Sequence, residues 1–339
     1  MSLNSGTYNK TNRIWKDELS GQYVDAMKAQ YPWLGAVAQF IPSDKKDEYF
    51  HQWLDNGYLA LYTPGDKRKE TVFDDRELVI TNKDYSKVIS WQINEEKDDL
   101  SPRKMVDVAR QAGQEIAQLH ARAFYRMILE SADTETLDTI PTCADGNGLF
   151  SASHADATGG NIVSVTDPTT TSLVQAAYKA VRARALKFQL PSYVANSLDG
   201  GYYYTDADLD AAQKHVFFNP DYEQVYYDYF KNQLMIQTAG TAGTDLAAAS
   251  IGNEFAKSTG RSVYLHPTPA ITTGDAMYFF DLPGRPKPIF ILEREVMSTQ
   301  DQDENSDQGF WYRQKSTGIY CRYGFGYGNH LGAIKADVT

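Results

Sequence analysis

Hydrophobic residues recur at helical spacing through one long stretch in the first half of the chain. Residues 102–131, PRKMVDVARQAGQEIAQLHARAFYRMILES, follow Ser101, a good helix cap, and begin with Pro102, whose missing N–H costs nothing in a first turn. The apolar side chains that repeat every three or four positions are Met105, Val108, Ala109, Ala112, Ile116, Leu119, Ala123 and Met127. The pattern predicts a helix of about 30 residues, roughly 45 Å long, which is typical of a strut across a broad sheet.

A second amphipathic segment lies in the middle of the chain. Residues 172–188, SLVQAAYKAVRARALKF, keep helical spacing, and Thr171 or Ser172 is a suitable cap. Further on, Asn219-Pro220-Asp221 is a helix start that follows KHVFF, residues 214–218, which has the pattern of a strand. We therefore expect a strand followed by a helix here, the pattern of an α/β unit.

Runs rich in β-branched and aromatic residues predict strands. They are residues 58–62, 78–80, 88–93, 214–218, 276–282, 287–297, 310–328 and 330–338. Between residues 57 and 93, the run at 58–62 is separated from the run at 78–80. The separating segment contains turn residues at Pro64-Gly65-Asp66 and a mostly charged stretch up to Arg76. The sequence thus predicts a long two-stranded arm whose charged tip has few apolar residues to pack on a core of its own.

The beginning of the chain and two later stretches have weaker patterns. We expect an extended polar arm at 1–15, short helices at 16–30 and 45–54, irregular structure at 189–213 and a polar acidic loop at 298–309. The helical spacing in DEYFHQWL, within 45–54, comes from Tyr49, Phe50, Trp53 and Leu54.

The composition argues against several classes of protein, namely general nucleic-acid binders, disulfide-rich secreted proteins and membrane-spanning proteins. The 339 residues carry a formal net charge of −11, and a chain without a basic block is a poor general ligand for nucleic acid, because affinity for phosphate comes from clustered Lys and Arg. The two cysteines, Cys143 and Cys321, are too few for a disulfide framework and fit a reducing cytosol. No apolar run approaches the ~18 residues of a membrane span, and the first residues lack a signal-peptide core.

The stretch CADGNGLFSASHADATGGN, residues 143–161, concentrates the residue types of a nucleophilic hydrolase. A nucleophile elbow needs Gly-x-Ser-x-Gly between a strand and a helix, and neither Ser151 nor Ser153 has flanking glycines. In a triad the serine and histidine usually come from distant segments, whereas Ser153 adjoins His154. The spacing indicates a loop in which His154 is a hydrogen-bonding partner and not a base.

The sequence signals for a metal site or a phosphate site are equally weak. None of the six histidines is spaced from another His or from Cys as zinc ligands are. DQDENSD, residues 301–307, alternates acidic residues as a calcium loop does, but lacks the glycine at position six and the glutamate at position twelve. YGFGYG, residues 323–328, has no following helix to hold a phosphate, so its glycines indicate a bend or a close backbone approach. We expect no cofactor and no metal.

The order of the elements resembles the Hong Kong 97 fold of the major capsid proteins of tailed double-stranded DNA bacteriophages, and is most similar to the Mu-like major head subunit branch. In that fold an N-terminal arm leads to an extended E-loop, a long spine helix, a G-loop, an axial A-domain and the long strands of a peripheral P-domain. The stretch 143–161 resembles the segment after the spine helix. VFFNPDYEQVYYDYF, residues 216–230, resembles the strand, turn and helix of an A-domain, and 298–309 resembles a P-domain tip.

The resemblance implies an α+β capsid fold with six divisions. They are an N-terminal arm at 1–54, an E-loop at 55–100, a spine helix and G-loop-like segment at 101–165, an A-domain at 166–285, a P-domain β-hairpin with an acidic tip at 286–328, and an A-domain C-terminal strand at 329–339.

The resemblance also implies a function: a structural protein, not an enzyme, that forms the hexamers and pentamers of an icosahedral shell around double-stranded DNA. The expected partners are further copies of the chain, a portal, a decoration protein and a separate scaffolding protein, since no long charged helical leader precedes residue 16. We expect DNA packaging without sequence-specific contacts, no membrane, assembly in the host cytoplasm and a final place in the virion capsid.

Three groups of residues are expected to contact neighbouring subunits. They are Asp66, Lys67, Arg68, Lys69, Glu70 and Arg76 at the E-loop tip, Asp301, Asp303, Glu304 and Asp307 at the P-domain tip, and Ser151, Ser153 and His154 in the G-loop-like segment.

Two alternatives stay open at this point. The same fold serves encapsulin-type nanocompartments, which enclose protein cargo instead of DNA. A hypothesis from a different class is a serine hydrolase that uses Ser151 or Ser153 with His154.

Overall fold

The structure of the protein is a computed structural model. It describes residues 31–54, 74–92, 103–133, 135–154, 160–188, 204–211, 213–231, 234–236, 250–252, 263–272, 277–282, 287–302 and 306–338. The predicted arm at 1–15, the helix at 16–30 and the strand at 58–62 lie outside the described residues.

Helices and strands alternate irregularly along the chain, as expected for an α+β fold. The strands are β1 (Ala38–Pro42), β2 (Asp47–Leu54), β3 (Asp74–Thr81), β4 (Lys83–Gln92), β5 (Ile162–Val165), β6 (Gln213–Phe218), β7 (Leu234–Ile236), β8 (Ser250–Gly252), β9 (Val263–Pro267), β10 (Met277–Leu282), β11 (Ile289–Gln302), β12 (Gln314–Tyr327) and β13 (Ala333–Val338). The α-helices are α1 (Leu34–Val37), α2 (Arg103–Ile128), α3 (Thr171–Ala185), α4 (Asp206–Ala211), α5 (Glu223–Phe230) and α6 (Asp307–Tyr312), and 3₁₀ turns lie at Pro220–Tyr222 and His330–Gly332.

The long helix α2 lies on a four-stranded sheet with the order β1-β11-β12-β4. Its C-terminal half packs Phe124 and Met127 into one buried cluster with Tyr323 and Tyr327 of β12. The Tyr327 hydroxyl donates a 2.8 Å hydrogen bond to the Met127 carbonyl, and Lys87 of β4 forms an ion pair with Glu115. The predicted strut across a sheet is therefore confirmed, over residues 103–128.

A five-stranded mixed sheet, with the order β5-β13-β10-β6-β9, forms the second layer. Alternate residues of β6 point to opposite faces: Val216 and Phe218 pack with α3 and α5, whereas Phe217 joins the cluster around α2. Both faces are thus buried, which explains why three consecutive residues of the strand, Val216, Phe217 and Phe218, are apolar. The last strand belongs to this sheet, since β13 lies between β5 and β10; its assignment to an A-domain stays a prediction.

The strands β2 and β3 form a separate antiparallel pair. Its inner face places Leu78 and Ile80 against Leu292 of β11. A Cβ atom on Gly326 would lie 2.4 Å from Ile80 Cδ1. The glycines of YGFGYG therefore do allow a close approach, as predicted.

The helix predicted at 45–54 is wrong, because DEYFHQWL forms β2. Phe50 faces inward, 5.3 Å from the Phe290 ring, while Tyr49 is exposed. Because Tyr49 and Phe50 are adjacent and both aromatic, the sequence does not show the alternation of buried and exposed positions that is typical of a strand. Pairing with β3 determines the conformation.

The two-stranded arm also pairs differently from the prediction. Its strands are β2 and β3, whereas β4 pairs with β12 from Gln92 opposite Gln314 to Lys83 opposite Tyr323. Residues 83–92 therefore belong to the sheet of the predicted P-domain hairpin, although they fall inside the predicted E-loop at 55–100. The domain boundaries themselves stay a prediction.

Three local predictions need correction. The strand β11 continues to Gln302 and α6 begins at Asp307, so the acidic loop predicted at 298–309 is shorter and the strand predicted from Phe310 begins at Gln314. The cap of α3 is Thr170, whose hydroxyl accepts a hydrogen bond from the Leu173 amide. Part of the stretch expected to be irregular at 189–213 forms α4.

Candidate functional site

The G-loop-like segment, called the connector below, comprises residues 143–161, of which 143–154 and 160–161 are described. It begins with a tight turn in which the Cys143 amide donates to the Asn147 carbonyl at 2.7 Å and the Gly146 amide donates to the Cys143 carbonyl at 2.9 Å. Gly146 has φ of 81°, the left-handed region that favours glycine. The turn places the Asp145 carboxylate inside the connector.

Asp145 is the electrostatic centre of the connector. Its carboxylate accepts hydrogen bonds from the Asn147 amide N–H at 3.1 Å and from Asn147 Nδ2 at 2.9 Å, and contacts His154 Nδ1 at 2.6 Å. Burial alone would raise the pKa of Asp145, but the hydrogen bonds from Asn147 and His154 outweigh it and lower the pKa to about 2. The carboxylate therefore stays ionised at neutral pH.

His154 is 3% exposed, and both of its ring nitrogens face acceptors. Nδ1 faces Asp145, and Nε2 lies 3.2 Å from the Leu149 carbonyl. Its ring stacks on His330, with centroids 3.9 Å apart and 11° between the planes. The Ser151 hydroxyl instead accepts the Ser153 amide at 3.1 Å, and Ser153 is exposed. Because neither imidazole nitrogen faces a serine, this arrangement does not form the base–nucleophile pair of a hydrolase.

Asn161 fastens the end of the connector to the C-terminal strand. Its Oδ1 accepts the Ser151 amide at 2.9 Å, and its Nδ2 faces the carbonyls of Leu149 at 2.7 Å, His330 at 3.3 Å and Ala333 at 3.0 Å. The side chain is fully buried. The sequence identified this residue only as the last position of the stretch 143–161, and its spacing gave no signal of the role.

The connector is also attached to the residues that follow α2. Glu130, two residues beyond α2, has φ of 49°, and its Oε1 accepts the Phe150 amide at 3.1 Å. The connector is thus held to the residues after α2 and, through Asn161, to β13.

The predicted P-domain tip contains an exposed feature that the sequence did not reveal. Asp301 lies in β11 opposite Thr317, Asp307 is the exposed first residue of α6, and Asp303 and Glu304 lie outside the described residues. In α6, Phe310 and Trp311 are each 73% exposed and Tyr312 is 69% exposed. The sequence placed these three aromatic residues in a strand, where alternate side chains would be buried.

The predicted E-loop tip is described only at its base. Asp66, Lys67, Arg68, Lys69 and Glu70 lie outside the described residues, and Arg76 lies in β3 opposite Gln52. The outer face of the β2–β3 pair exposes Tyr49 by 55% and its cross-strand neighbour Val79 by 49%.

Comparison with known proteins decides the family. The family model described as phage capsid protein matches residues 85–336, which is more than half of the chain. The chain belongs to the phage capsid protein family. No curated protein matches it.

Solved capsids share the fold of this capsid protein. The capsid of the native GTA particle is 12% identical, with 90% of this chain and 89% of that chain covered and a TM-score of 0.53. The capsid of Cyanophage P-SCSP1u is 12% identical over 89% and 86% of the two chains, with a TM-score of 0.51. The mature capsid of bacteriophage PhiM1 is 13% identical over 90% and 86%, also with a TM-score of 0.51.

These findings confirm the predicted α+β capsid fold, which is consistent with the Hong Kong 97 type, and the role of a major capsid protein. The hydrolase hypothesis has no support in the connector geometry. None of the described helices of this capsid protein has the length and hydropathy needed to cross a bilayer. Within the described ranges, no group of three or more His, Cys, Asp or Glu residues is arranged to hold a metal ion.

The capsid protein also contains a histidine pair that sequence spacing missed, in which His215 is buried and His266 is half-buried. His215 of β6 and His266 of β9 are 51 positions apart, yet strand pairing brings His215 Nδ1 within 2.9 Å of His266 Nε2. Burial lowers the pKa of both side chains to about 4, with a further contribution from Lys287 for His215 and from His215 for His266. The pair is therefore neutral at neutral pH and forms one internal hydrogen bond.

Proposed function

We propose that this capsid protein is a major head subunit of the Mu-like branch, with a structural and non-enzymatic role. Copies form hexamers and pentamers of an icosahedral shell around double-stranded DNA. The observation that carries the proposal is the combination of the family match over 85–336 with a spine helix packed on the long β11–β12 hairpin. The spine helix and the β11–β12 hairpin together supply a rigid framework from which the β2–β3 pair and α6 extend.

Assembly depends on surface buried between copies and not on a reaction. The β2–β3 pair extends over the neighbouring subunit, and the charged residues at 66–70 lie against that neighbour's P-domain or spine helix. Individual contacts can be weak, because symmetry repeats each of them many times and they act as a multivalent set. The buried connector of this chain sets the angle between the two layers and does not contribute a catalytic group.

The remaining partners follow from this role. A separate scaffolding protein, a portal and a decoration protein act with the shell, assembly takes place in the host cytoplasm, and the product is the virion capsid. The net charge of −11 gives a lining that repels the genome and lets DNA move during packaging. Tight binding of purified subunits to DNA with a steep salt dependence would contradict this part of the proposal.

Negative-stain microscopy of the expressed protein tests the proposal. We expect closed shells of uniform diameter, and co-expression with scaffolding protein increases their yield. A monodisperse monomer that reacts with a fluorophosphonate, with the label absent in Ser151→Ala or Ser153→Ala, would instead support a hydrolase. Shells that enclose protein and exclude DNA during infection would support a nanocompartment.

A further inference from the structure

Two buried polar atoms, on the side of the five-stranded sheet that α3 and α5 cover, have no hydrogen-bond partner among the described residues. They are the Tyr226 hydroxyl and Asp167 Oδ1. Asp167 lies in the segment between β5 and α3, and Tyr226 lies in α5. Buried polar groups in folded proteins almost always have a partner in the protein or in ordered water, so each of these two atoms calls for a physical explanation.

The packing of Tyr226 keeps its hydroxyl away from solvent. Tyr226 is fully buried, and its ring stacks on Phe218 of β6 with centroids 4.0 Å apart and 5° between the planes. Rotation of the ring about its own axis leaves the hydroxyl oxygen in place, so only another rotamer, which would break the stack, could expose it. The hydroxyl must therefore find its partner inside the protein.

The Asp167 carboxylate lies near this hydroxyl. Tyr222 precedes Tyr226 by four positions, at the junction of the 3₁₀ turn and α5, and side chains four apart on a helix lie on one face. The Tyr222 hydroxyl donates a hydrogen bond to the Asp167 carboxylate, and this bond raises the pKa of Tyr222. Burial raises the pKa of Tyr226 well above its usual value, and the charges of Tyr222 and Asp167 raise it further. One carboxylate thus acts on both hydroxyls.

A water molecule suits the position between the two atoms better than a metal ion does. The Tyr226 hydroxyl and Asp167 Oδ1 do not bond each other directly, since neither has a partner in the described part of the chain. A water can accept from the hydroxyl and donate to the carboxylate at once, and buried waters make about three hydrogen bonds each. Ca²⁺ and Mg²⁺ need about six or more oxygen ligands, and Asp167 belongs to no described group of three or more side chains that could hold a metal.

We infer that one ordered water molecule is bound between the Tyr226 hydroxyl and Asp167 Oδ1. It accepts a hydrogen bond from Tyr226 and donates one to Asp167, while the Tyr222 hydroxyl holds the carboxylate in place. The water joins the segment before α3 to α5, the two helices that pack in one buried cluster on the sheet. The inference goes beyond the proposed function, because it concerns one folded subunit and does not depend on shell assembly.

The substitution Tyr226→Phe gives opposite results for a bridged and for an unsatisfied hydroxyl. It removes the hydroxyl and keeps the ring that stacks on Phe218. Loss of a hydrogen-bonded hydroxyl should lower the folding equilibrium constant about fivefold, measured by urea unfolding of the unassembled subunit. Equal or higher stability of the variant would overturn the inference, because removal of an unsatisfied buried polar group stabilises a protein.

Tyr227→Phe is the matched control for Tyr226→Phe. Tyr227 is the next residue of α5, and its side chain is exposed. This substitution should leave the folding equilibrium constant unchanged, since an exposed hydroxyl bonds to solvent in the folded and in the unfolded chain.

A double-mutant cycle tests whether Asp167 is the other partner of the water. Asp167→Ala removes that partner, so Tyr226→Phe/Asp167→Ala should lose less stability than the sum of the two single losses. Additive losses would overturn the inference and would indicate a different partner for Tyr226. The cycle of Tyr222→Phe with Asp167→Ala measures the direct hydrogen bond beside it and gives the reference coupling.

A structure of the wild-type protein that shows ordered waters, from crystals of the subunit or from shells, locates the molecule directly. We expect a separate density peak about 2.5–3.0 Å from both oxygens. Protein density at that position, or no peak within hydrogen-bonding distance of the Tyr226 hydroxyl, would overturn the inference. Failure to form shells would contradict the proposed function alone, because unfolding and crystallisation need only the subunit.

Discussion

At the scale of single residues, Asn161 has a clear structural role. Its amide bridges the connector and the carbonyls around β13, entirely out of water. We expect Asn161→Ala to destabilise the folded subunit by about 1–3 kcal/mol, because it leaves buried backbone groups without hydrogen bonds. Denaturant unfolding of the unassembled subunit measures this change.

Ser153→Ala is the matched control for Asn161, since Ser153 is exposed in the same connector. It should change the free energy of unfolding by less than about 0.5 kcal/mol. Equal stability of the two variants would contradict the role assigned to Asn161.

The His215–His266 pair leads to a prediction about pH. Both folded-state pKa values are lowered from 6.5 to about 4, so the unfolded chain binds protons more readily than the native one. The free energy of unfolding is therefore highest, as far as this pair contributes, above pH 6.5, and it declines as pH falls from 6.5 to about 4. Each unit of pKa difference between the folded and unfolded states is worth about 1.4 kcal/mol. Thermal midpoints at pH 7.5 and pH 4.5 measure the decline.

The variant His215→Gln/His266→Gln should show a smaller difference between these two midpoints. The difference does not vanish, because burial also lowers the pKa of His120 to about 4. A midpoint difference equal to that of wild type would mean that the pair does not control acid stability.

At the scale of elements, the packing of the β2–β3 pair on β12 depends on a glycine. A Cβ atom on Gly326 would meet Ile80 Cδ1 at 2.4 Å and Cγ1 at 2.6 Å. We expect Gly326→Ala to cost about 1–3 kcal/mol of stability, since overpacking forces neighbouring side chains to shift. Unfolding by urea gives the value.

Two comparisons make this prediction specific. Gly318→Ala, in the same strand, meets its nearest atom at 3.6 Å and should be well tolerated. Ile80→Ala removes the obstructing atoms, so Gly326→Ala should cost less in that background than in wild type. Equal costs in both backgrounds would show that strand conformation, and not Ile80, limits position 326.

The elements also show what the sequence could predict. A long apolar stripe with periodicity 3.6 predicted α2 within a few residues, because one helix face packs on one sheet. The strand β2 escaped prediction because its partner β3 is separated from it by the segment 55–73, and local spacing cannot report that pairing. The connector network likewise depends on Asn161 meeting His330 and Ala333, which are far away in sequence.

At the scale of the whole molecule, the structure separates the parts that fold the subunit from those available to its neighbours. Leu78 and Ile80 hold the β2–β3 pair to the core, and Leu54 pairs with Asp74 at the end of the described hairpin. A variant that alters the segment between β2 and β3 from Thr63 onwards should therefore leave residues 74–76 unchanged, because they are paired residues of β3.

We predict that replacing residues 63–73 with a Gly/Ser segment of equal length leaves a folded subunit that forms few or no shells. The replacement keeps the connection between β2 and β3 and removes only side chains, so the thermal midpoint of the unassembled subunit should stay close to wild type. Shell yield by microscopy and sedimentation should fall sharply, because symmetry repeats the weakened interaction at every equivalent position in the shell. Aggregation or the absence of a thermal transition would instead place these residues in the core. Normal shells would show that the charged residues Lys67, Arg68 and Lys69 do not contribute to assembly.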